Sequence, residues 1–284
     1  MTIALSKPIL PGVRRRPVVA AETRRTVRRL GPGTRIRGGS LLGPIAVIAV
    51  WSLASVTGAL DPRILPSPWE VVETAGHLWS SGTLLGDVQT SLWRAARGFG
   101  LGLVIGVGLA LLSGLSRWGE AFIDGTVQIN RSIPVLGLIP LFILWLGIGE
   151  SFKISIIAIA VYIPIYLNLQ AALIGIDSRY VELAEVLGQN RLQFIRHVVI
   201  PGALPGFFVG LRLAVTASWL GLVVLEQINA TSGLGYMMFQ AQNYGRTDVI
   251  AVGLLIYGGF GYLSDLVVRT IERRLLSWRR SLSN

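Results

Sequence analysis

The sequence predicts an all-α, polytopic membrane protein with six transmembrane helices. Three observations carry that prediction. Of the 284 residues, 52% are hydrophobic and only 14% charged, against about 25% charged in an ordinary soluble domain. Mean hydropathy is +0.60. The apolar residues also gather into runs long enough to cross a bilayer as helices, which needs about 20 residues.

The runs follow in order. Residues 41–60 form the first, twenty uncharged residues that end at DPRILPSP, a proline-rich break. Residues 69–83 are mixed in character, with Trp69 and Trp79 as headgroup anchors. The second span covers 88–114. Its glycines Gly98, Gly102, Gly106 and Gly114 recur at multiples of four, placing small residues on one helix face for close packing. Arg94 and Arg97 are read as snorkelling at an interface. The third span, 133–147, is begun or bent by Pro134 and Pro140, and the fourth runs through 152–173. After a polar stretch the fifth covers 206–228, the least regular because Arg212 interrupts it. The sixth covers 249–268.

The formal net charge of +11 is unevenly placed. Residues 1–39 hold ten bases and one acid, net +9, and residues 269–284 hold five arginines and one acid, net +4. The middle, residues 40–268, is left at −2. The domain organisation is thus a basic flexible leader (1–39), a six-helix membrane domain (40–268) and a basic tail (269–284). Six spans put both ends on one side, with the loops 115–132 and 174–205. Those loops add Arg117, Arg131, Arg179, Arg191 and Arg196. Positive charge collects on the cytoplasmic side, so both termini are expected there. The bases read as an orientation signal rather than a nucleic-acid surface. The late start of the first apolar run, at Leu41, argues for an uncleaved membrane insertion rather than a signal peptide.

Composition also excludes chemistries. With no cysteine there are no disulfides, thiolate metal sites or cysteine nucleophiles. His77 and His197 lack metal-ligand spacing, and no GxxxxGK[ST] phosphate loop occurs. No catalytic constellation emerges, so the chain is not expected to be an enzyme or to hold a cofactor or metal.

The most informative stretch is 177–205, DSRYVELAEVLGQNRLQFIRHVVIPGALP. Leu183, Val186 and Leu187 share one face of a short helix. Gly188 breaks it. Gln189–Val199 forms a second segment with Leu192, Ile195 and Val199 on one stripe, and Pro201 and Pro205 lead into the next span. A helix–glycine–helix hairpin on the cytoplasmic face (177–200) suits docking of a soluble partner.

Here the sequence resembles the permeases of ABC importers. Their cytoplasmic loop reads E-x-A-x-x-x-G, then nine residues, an aliphatic residue, any residue, an aliphatic residue and proline. Glu182, Ala184, Gly188, Val198, Ile200 and Pro201 match it, and Leu183 stands where alanine is usual. The likeness extends over about 60–280, through TSLWRAARGFGLGLVIGV, IPLFILWLGIGE, GLRLAVTASWLGLVVLEQ and GLGYMMFQAQ. It is closest to the branch serving aliphatic sulfonates, taurine and nitrate in the bacterial inner membrane.

The resemblance implies a MetI-like type I ABC importer permease fold. It also implies a second permease copy, two cytoplasmic ATPase subunits that hold ATP and Mg, and an extracytoplasmic substrate-binding protein. The expected substrate is a small anion, with taurine, nitrate, bicarbonate or a vitamin precursor as alternatives to sulfonates. A secondary transporter without ATPase partners is the alternative of another class. Residues assigned to ATPase coupling are Glu182, Ala184, Gly188, Arg191, Phe194, Arg196 and Pro201. For Arg191 and Arg196, retention on the cytoplasmic side is a sufficient alternative. Candidates for translocation or gating are Asn168, Gln170, Ser218, Trp219 and Glu226, against ordinary polar contacts between helices. Asp265 is expected to pair with Arg269 one helical turn on.

Overall fold

The computed structural model describes residues 39–278 apart from position 62. Residues 1–38 of the predicted leader and the last six residues of the tail lie outside the described residues. The chain divides into two compact units, 1–47 and 48–284. Of the first, residues 39–47 form the start of helix α1 (Gly39–Val56).

All regular structure among the described residues is helical. After α1 come α2 (Pro68–Ser80) and the long α3 (Thr83–Gly114). Helix α4 (Arg117–Ser132) has a π-helical turn at Glu120–Asp124, and α5 (Val135–Leu146) opens with a 3-10 turn. Then follow α6 (Glu150–Ile174), α7 (Ser178–Val186) and α8 (Arg191–Gln227), whose second turn is π-helical at Ile195–Val199. Helices α9 (Leu234–Asn243) and α10 (Thr247–Leu275) are the last among the described residues.

Among the described residues four helices, α3, α6, α8 and α10, are long and apolar enough to cross a membrane. A fifth span is present if α4 and α5, bent by 90° at their junction, count as one. The apolar part of α1, Leu42–Val56, is shorter. It ends four residues before the expected limit at 60, just ahead of Gly58 at φ +72°. The polytopic all-α class therefore stands, with four or five long apolar helices rather than a demonstrated six.

Helix α6 is the centre of the packing, between α3 and α8. Phe152, Ile156, Ile157, Val161, Ile165 and Tyr166 on it are wholly buried. The glycine stripe of α3 permits this approach. A Cβ at Gly102 would lie 2.5 Å from the Ala158 carbonyl oxygen, and one at Gly98 would lie 2.6 Å from Ile157. One at Gly106 would lie 2.9 Å from the Tyr162 carbonyl, and one at Gly114 2.7 Å from Leu173. Ala110 keeps the period and is fully buried. On the other side, a Cβ at Gly210 of α8 would lie 2.8 Å from the Pro164 carbonyl of α6. Backbones approach closely wherever side chains are absent, and dispersion between the helices then holds them.

Helix α2 is set by a capping box, in which Ser67 accepts from the Glu70 N–H and Glu70 accepts from the Ser67 N–H. It is tied to α10 by Thr74, whose hydroxyl donates to Asp248 at 2.8 Å.

Two expectations about arginines need correction. Arg94 does not snorkel: it is 4% exposed and bonded entirely within the protein. Acceptors on other helices, invisible from its own segment, make burial affordable. Arg131 does not lie in a loop. It sits in the last turn of α4, which climbs beside α6, with Val127 buried against the Tyr162–Leu169 part of that helix. Of the two roles expected for Pro134, beginning a span or bending it, the second holds: the chain is already helical from Arg117 and turns by 90° between Ser132 and Val135.

Arg212, the irregularity in the fifth predicted span, is answered from α10 by Glu272 at 2.5 Å and Asp265 at 3.3 Å. Asp265 also pairs with Arg269 at 2.6 Å, as its spacing predicts.

Candidate functional site

The chain between α6 and α8 folds into a hairpin whose geometry follows from its sequence. Asp177 caps α7 by accepting from the Arg179 N–H at 2.9 Å. The helix closes in a Schellman turn: the Gly188 N–H donates to Glu185 and the Gln189 N–H to Ala184. Gly188 takes φ +67°, the left-handed region that glycine enters without a Cβ penalty. Asn190 then forms a capping box with Gln193 and starts α8.

The hairpin turns apolar side chains outward. Val186 is 84% exposed and Leu192 74%, with Leu183 and Leu187 also exposed. Exposed contiguous apolar surface of this kind marks an interaction site. Among the predicted coupling residues, Glu182 and Arg196 are exposed and Ala184 is buried. Arg191 reaches back to the body of the protein, donating to the Leu115 carbonyl at 2.9 Å. Phe194 packs half-buried against the cluster of Tyr166, Leu169 and Leu173, and Pro201 lies within the unbroken α8. The hairpin is therefore not a loose loop. It continues into a 37-residue helix that traverses the molecule.

Close to the α3 end of this hairpin lies a polar cluster. The Tyr166 hydroxyl lies within hydrogen-bond distance of Ser113 at 3.0 Å and of Asp124 at 3.2 Å, and the Gln170 amide donates to the same two side chains at 3.3 and 3.2 Å. The cluster joins α3, the π-helical turn of α4, and α6. Gln170, predicted for the pathway, lies here. Asn168 donates to the Pro164 carbonyl of its own helix.

The opposite end of the helix layer holds the most extensive buried polar network. Glu226 is completely buried and accepts from four groups: Ser91 at 2.7 Å, Arg94 at 2.9 Å, the Gly235 N–H at 2.9 Å and Tyr257 at 2.7 Å. Arg94 also grips Glu150 with two parallel bonds of 2.6 and 2.7 Å, and donates to the Ser232 carbonyl at 2.6 Å. The Leu234 N–H donates to Ser91, and the Gly233 N–H to Asp87. A Cβ at Gly233 would sit 2.5 Å from Glu226 Oε1, so only glycine fits. The network fastens α3, α6, α8 and α10 to the short α9 segment. Fully satisfied networks of this kind fix one arrangement of their elements.

The five predicted pathway residues are thus not brought together. Ser218 and Trp219 line an apolar cavity of about 450 Å³ between α3, α8 and α10. Trp219 stacks on Phe260 there and donates to Ser264 at 3.2 Å. Ser91, Glu150 and Tyr257, all partners in the Glu226 network, went unrecognised in the sequence. The available signal was the pairing of an arginine and a glutamate in separate apolar helices. Among the described residues no group of histidine and acidic side chains could hold a metal ion.

Comparison with known proteins assigns this architecture. Residues 102–277 match the family model described as binding-protein-dependent transport system inner membrane component. The SsuC proteins of Escherichia coli (strain K12) and Bacillus subtilis (strain 168) carry names that refer them to aliphatic sulfonates transport as permeases. They are 44% and 39% identical to this chain over 235 and 241 residues, covering 83% and 85% of it and 89% and 87% of their own lengths. The taurine transport system permease protein TauC of Escherichia coli (strain K12) is 31% identical over 243 residues, 84% of this chain and 88% of that protein. In fold, the chain resembles a chain of the crystal structure of an amino acid ABC transporter with histidines. The TM-score is 0.57 at 17% identity, over 70% of this chain and 97% of that one. The chain belongs to the family of binding-protein-dependent transport system inner membrane components and is the permease, not the ATP-hydrolysing, component of an ABC importer.

Proposed function

We propose that this protein moves aliphatic sulfonates from an extracytoplasmic binding protein into a bacterial cytoplasm, as one of two permease copies served by two ATPase subunits. The observation that carries the reading is the hairpin at Gly188, which turns four leucine and valine side chains outward and is continuous with α8. A surface of that kind fits a cleft on a soluble partner, and the rigid helix behind it transmits the partner's movement. The likeness to the two SsuC proteins supports sulfonates as substrate, more strongly than the lower identity to TauC supports taurine.

In this mechanism ATP and Mg are held by the ATPase subunits. Closure of those subunits pulls the two hairpins together and tilts the permease pair between inward-open and outward-open states. Docking of the loaded binding protein biases the same equilibrium from the other side, which couples the two sites. Glu182, Gly188 and Arg196 contact the ATPase, while Arg191 and Phe194 hold the hairpin to the membrane domain. Six spans are completed by α1 and by the bent α4–α5 pair, with both basic termini in the cytoplasm.

Reconstitution into liposomes with the ATPase and the binding protein tests this reading. ATP-dependent uptake of a labelled alkanesulfonate, abolished by omitting the ATPase, is expected. Uptake driven by an ion gradient through this chain alone would overturn it.

A further inference from the structure

Between the α4–α5 bend, α6 and α8 lies another cavity, of about 400 Å³. Ile156, Ala160 and Ile163 form one wall, and Leu213, Ala217 and Leu220 the other. One charged side chain, Arg131, lines it. Ala160 is ten residues from the Glu150 end of α6, and Ala217 is ten residues from the Gln227 end of α8. At 1.5 Å per residue both lie roughly 15 Å inside the layer, close to its middle.

The setting of Arg131 is unlike that of the other arginines of the helix layer. Arg94, Arg212, Arg246 and Arg269 each have a carboxylate partner, and Arg97, which has none among the described residues, lies 4.5 Å over the Trp93 ring. The Arg131 side chain is exposed and has no hydrogen-bond or ion-pair partner among the described residues. An ionisable group at mid-depth is expensive, and one without a partner marks a pathway for a charged solute. The backbone supports the same conclusion. The chain turns by 90° just beyond Arg131, and broken helices at membrane depth are tolerated where they border protein or a water-filled cavity.

We infer that this cavity is an intermediate substrate subsite, in which the guanidinium of Arg131 holds the sulfonate group and the α6 and α8 walls hold the alkyl tail. The inference rests on the sulfonate reading above and adds a place for the substrate inside the permease. A sulfonate is a compact anion with three oxygens, which a guanidinium can engage through two parallel bonds. A single cation and apolar walls hold it weakly, as a passage requires: strong enough to enter, weak enough to leave. The walls also leave room for size selection. Gly221 borders the cavity, and a Cβ built there meets nothing within 4 Å, so a larger side chain grows into the space.

The test uses the complete transporter in liposomes at saturating loaded binding protein, with uptake and ATP hydrolysis measured together for ethanesulfonate and octanesulfonate. Arg131→Gln is expected to slow uptake of both by about tenfold to a hundredfold, the scale of one hydrogen bond to a charged group. ATP hydrolysis falls less, so more ATP is spent per sulfonate moved, and Arg131→Lys recovers part of the loss. Gly221→Leu is expected to reduce octanesulfonate uptake at least tenfold more than ethanesulfonate uptake, which keeps the site testable if the arginine variants fail to assemble. Uptake and hydrolysis falling in equal proportion, or no change in either variant, would overturn the subsite. So would equal loss of the short and long sulfonates in Gly221→Leu, or a second copy's carboxylate found paired with Arg131. Failure of the wild-type complex to take up any alkanesulfonate would instead overturn the substrate reading on which the subsite rests.

Discussion

Arg94 and Glu226, 132 positions apart in sequence, close a buried ion pair of 2.9 Å at the centre of the network that fastens α9 to the helix layer. Removing Arg94 leaves Glu226 desolvated with no opposite charge, and removing Glu226 leaves the buried Ser91, Gly235 and Tyr257 donors without their shared acceptor while Arg94 keeps Glu150. Glu226→Ala is therefore expected to destabilise the protein by about 3–5 kcal/mol. Denaturant unfolding of the detergent-solubilised protein measures it. Combining Arg94→Gln with Glu226→Gln should cost clearly less than the sum of the single changes, because the two side chains share one interaction. Additive losses would show that the pair is not coupled.

The glycines of α3 divide by face, and alanine substitutions distinguish them. Gly102→Ala forces a Cβ against the Ala158 carbonyl and Val161 and should destabilise by about 1–3 kcal/mol. Gly100 has nothing within 4 Å of a built Cβ. Gly100→Ala is expected to be neutral or stabilising by up to about 1 kcal/mol, through helix propensity alone. Thermal unfolding of the two variants side by side decides the matter, and an equal response in both would contradict the packing described.

At Gly188 the constraint is conformational rather than steric, since its surroundings are open. Gly188→Val places a β-branched residue at positive φ, a cost of about 1–2 kcal/mol confined to the hairpin. Gly188→Asn should cost less, because asparagine tolerates that region better. Faster hydrogen exchange in 178–199, with the long helices unchanged, is the expected signature. Coupled transport should fall in the same order.

The cluster at the hairpin end predicts a smaller effect. Asp124→Ala removes an acceptor shared by Tyr166 and Gln170, leaving donors in a buried setting, at a cost of about 1–3 kcal/mol. Tyr166→Phe removes a donor together with its bonds and should cost about 1 kcal/mol. Urea or guanidinium midpoints of the two variants order them; the reverse order would mean that Asp124 is answered by water instead.

Much of this protein was legible in one dimension because the relevant physics is local. Hydropathy marked the helix layer, a four-residue period marked the packing face of α3, and the spacing of Glu182, Ala184 and Gly188 marked the hairpin. Left-handed backbone at Gly188 and one-turn pairing of Asp265 with Arg269 likewise depend only on near neighbours. Charge inside apolar sequence was the part that could not be read. Arg94 looks like an interfacial residue until Glu150 and Glu226 arrive from other helices, and Arg131 looks like a loop residue until α4 is seen to climb beside α6. The same residue type is satisfied at one site and left for a solute at the other. That difference is set by which helices meet there, because the cost of a buried charge depends on partners that only the tertiary structure supplies.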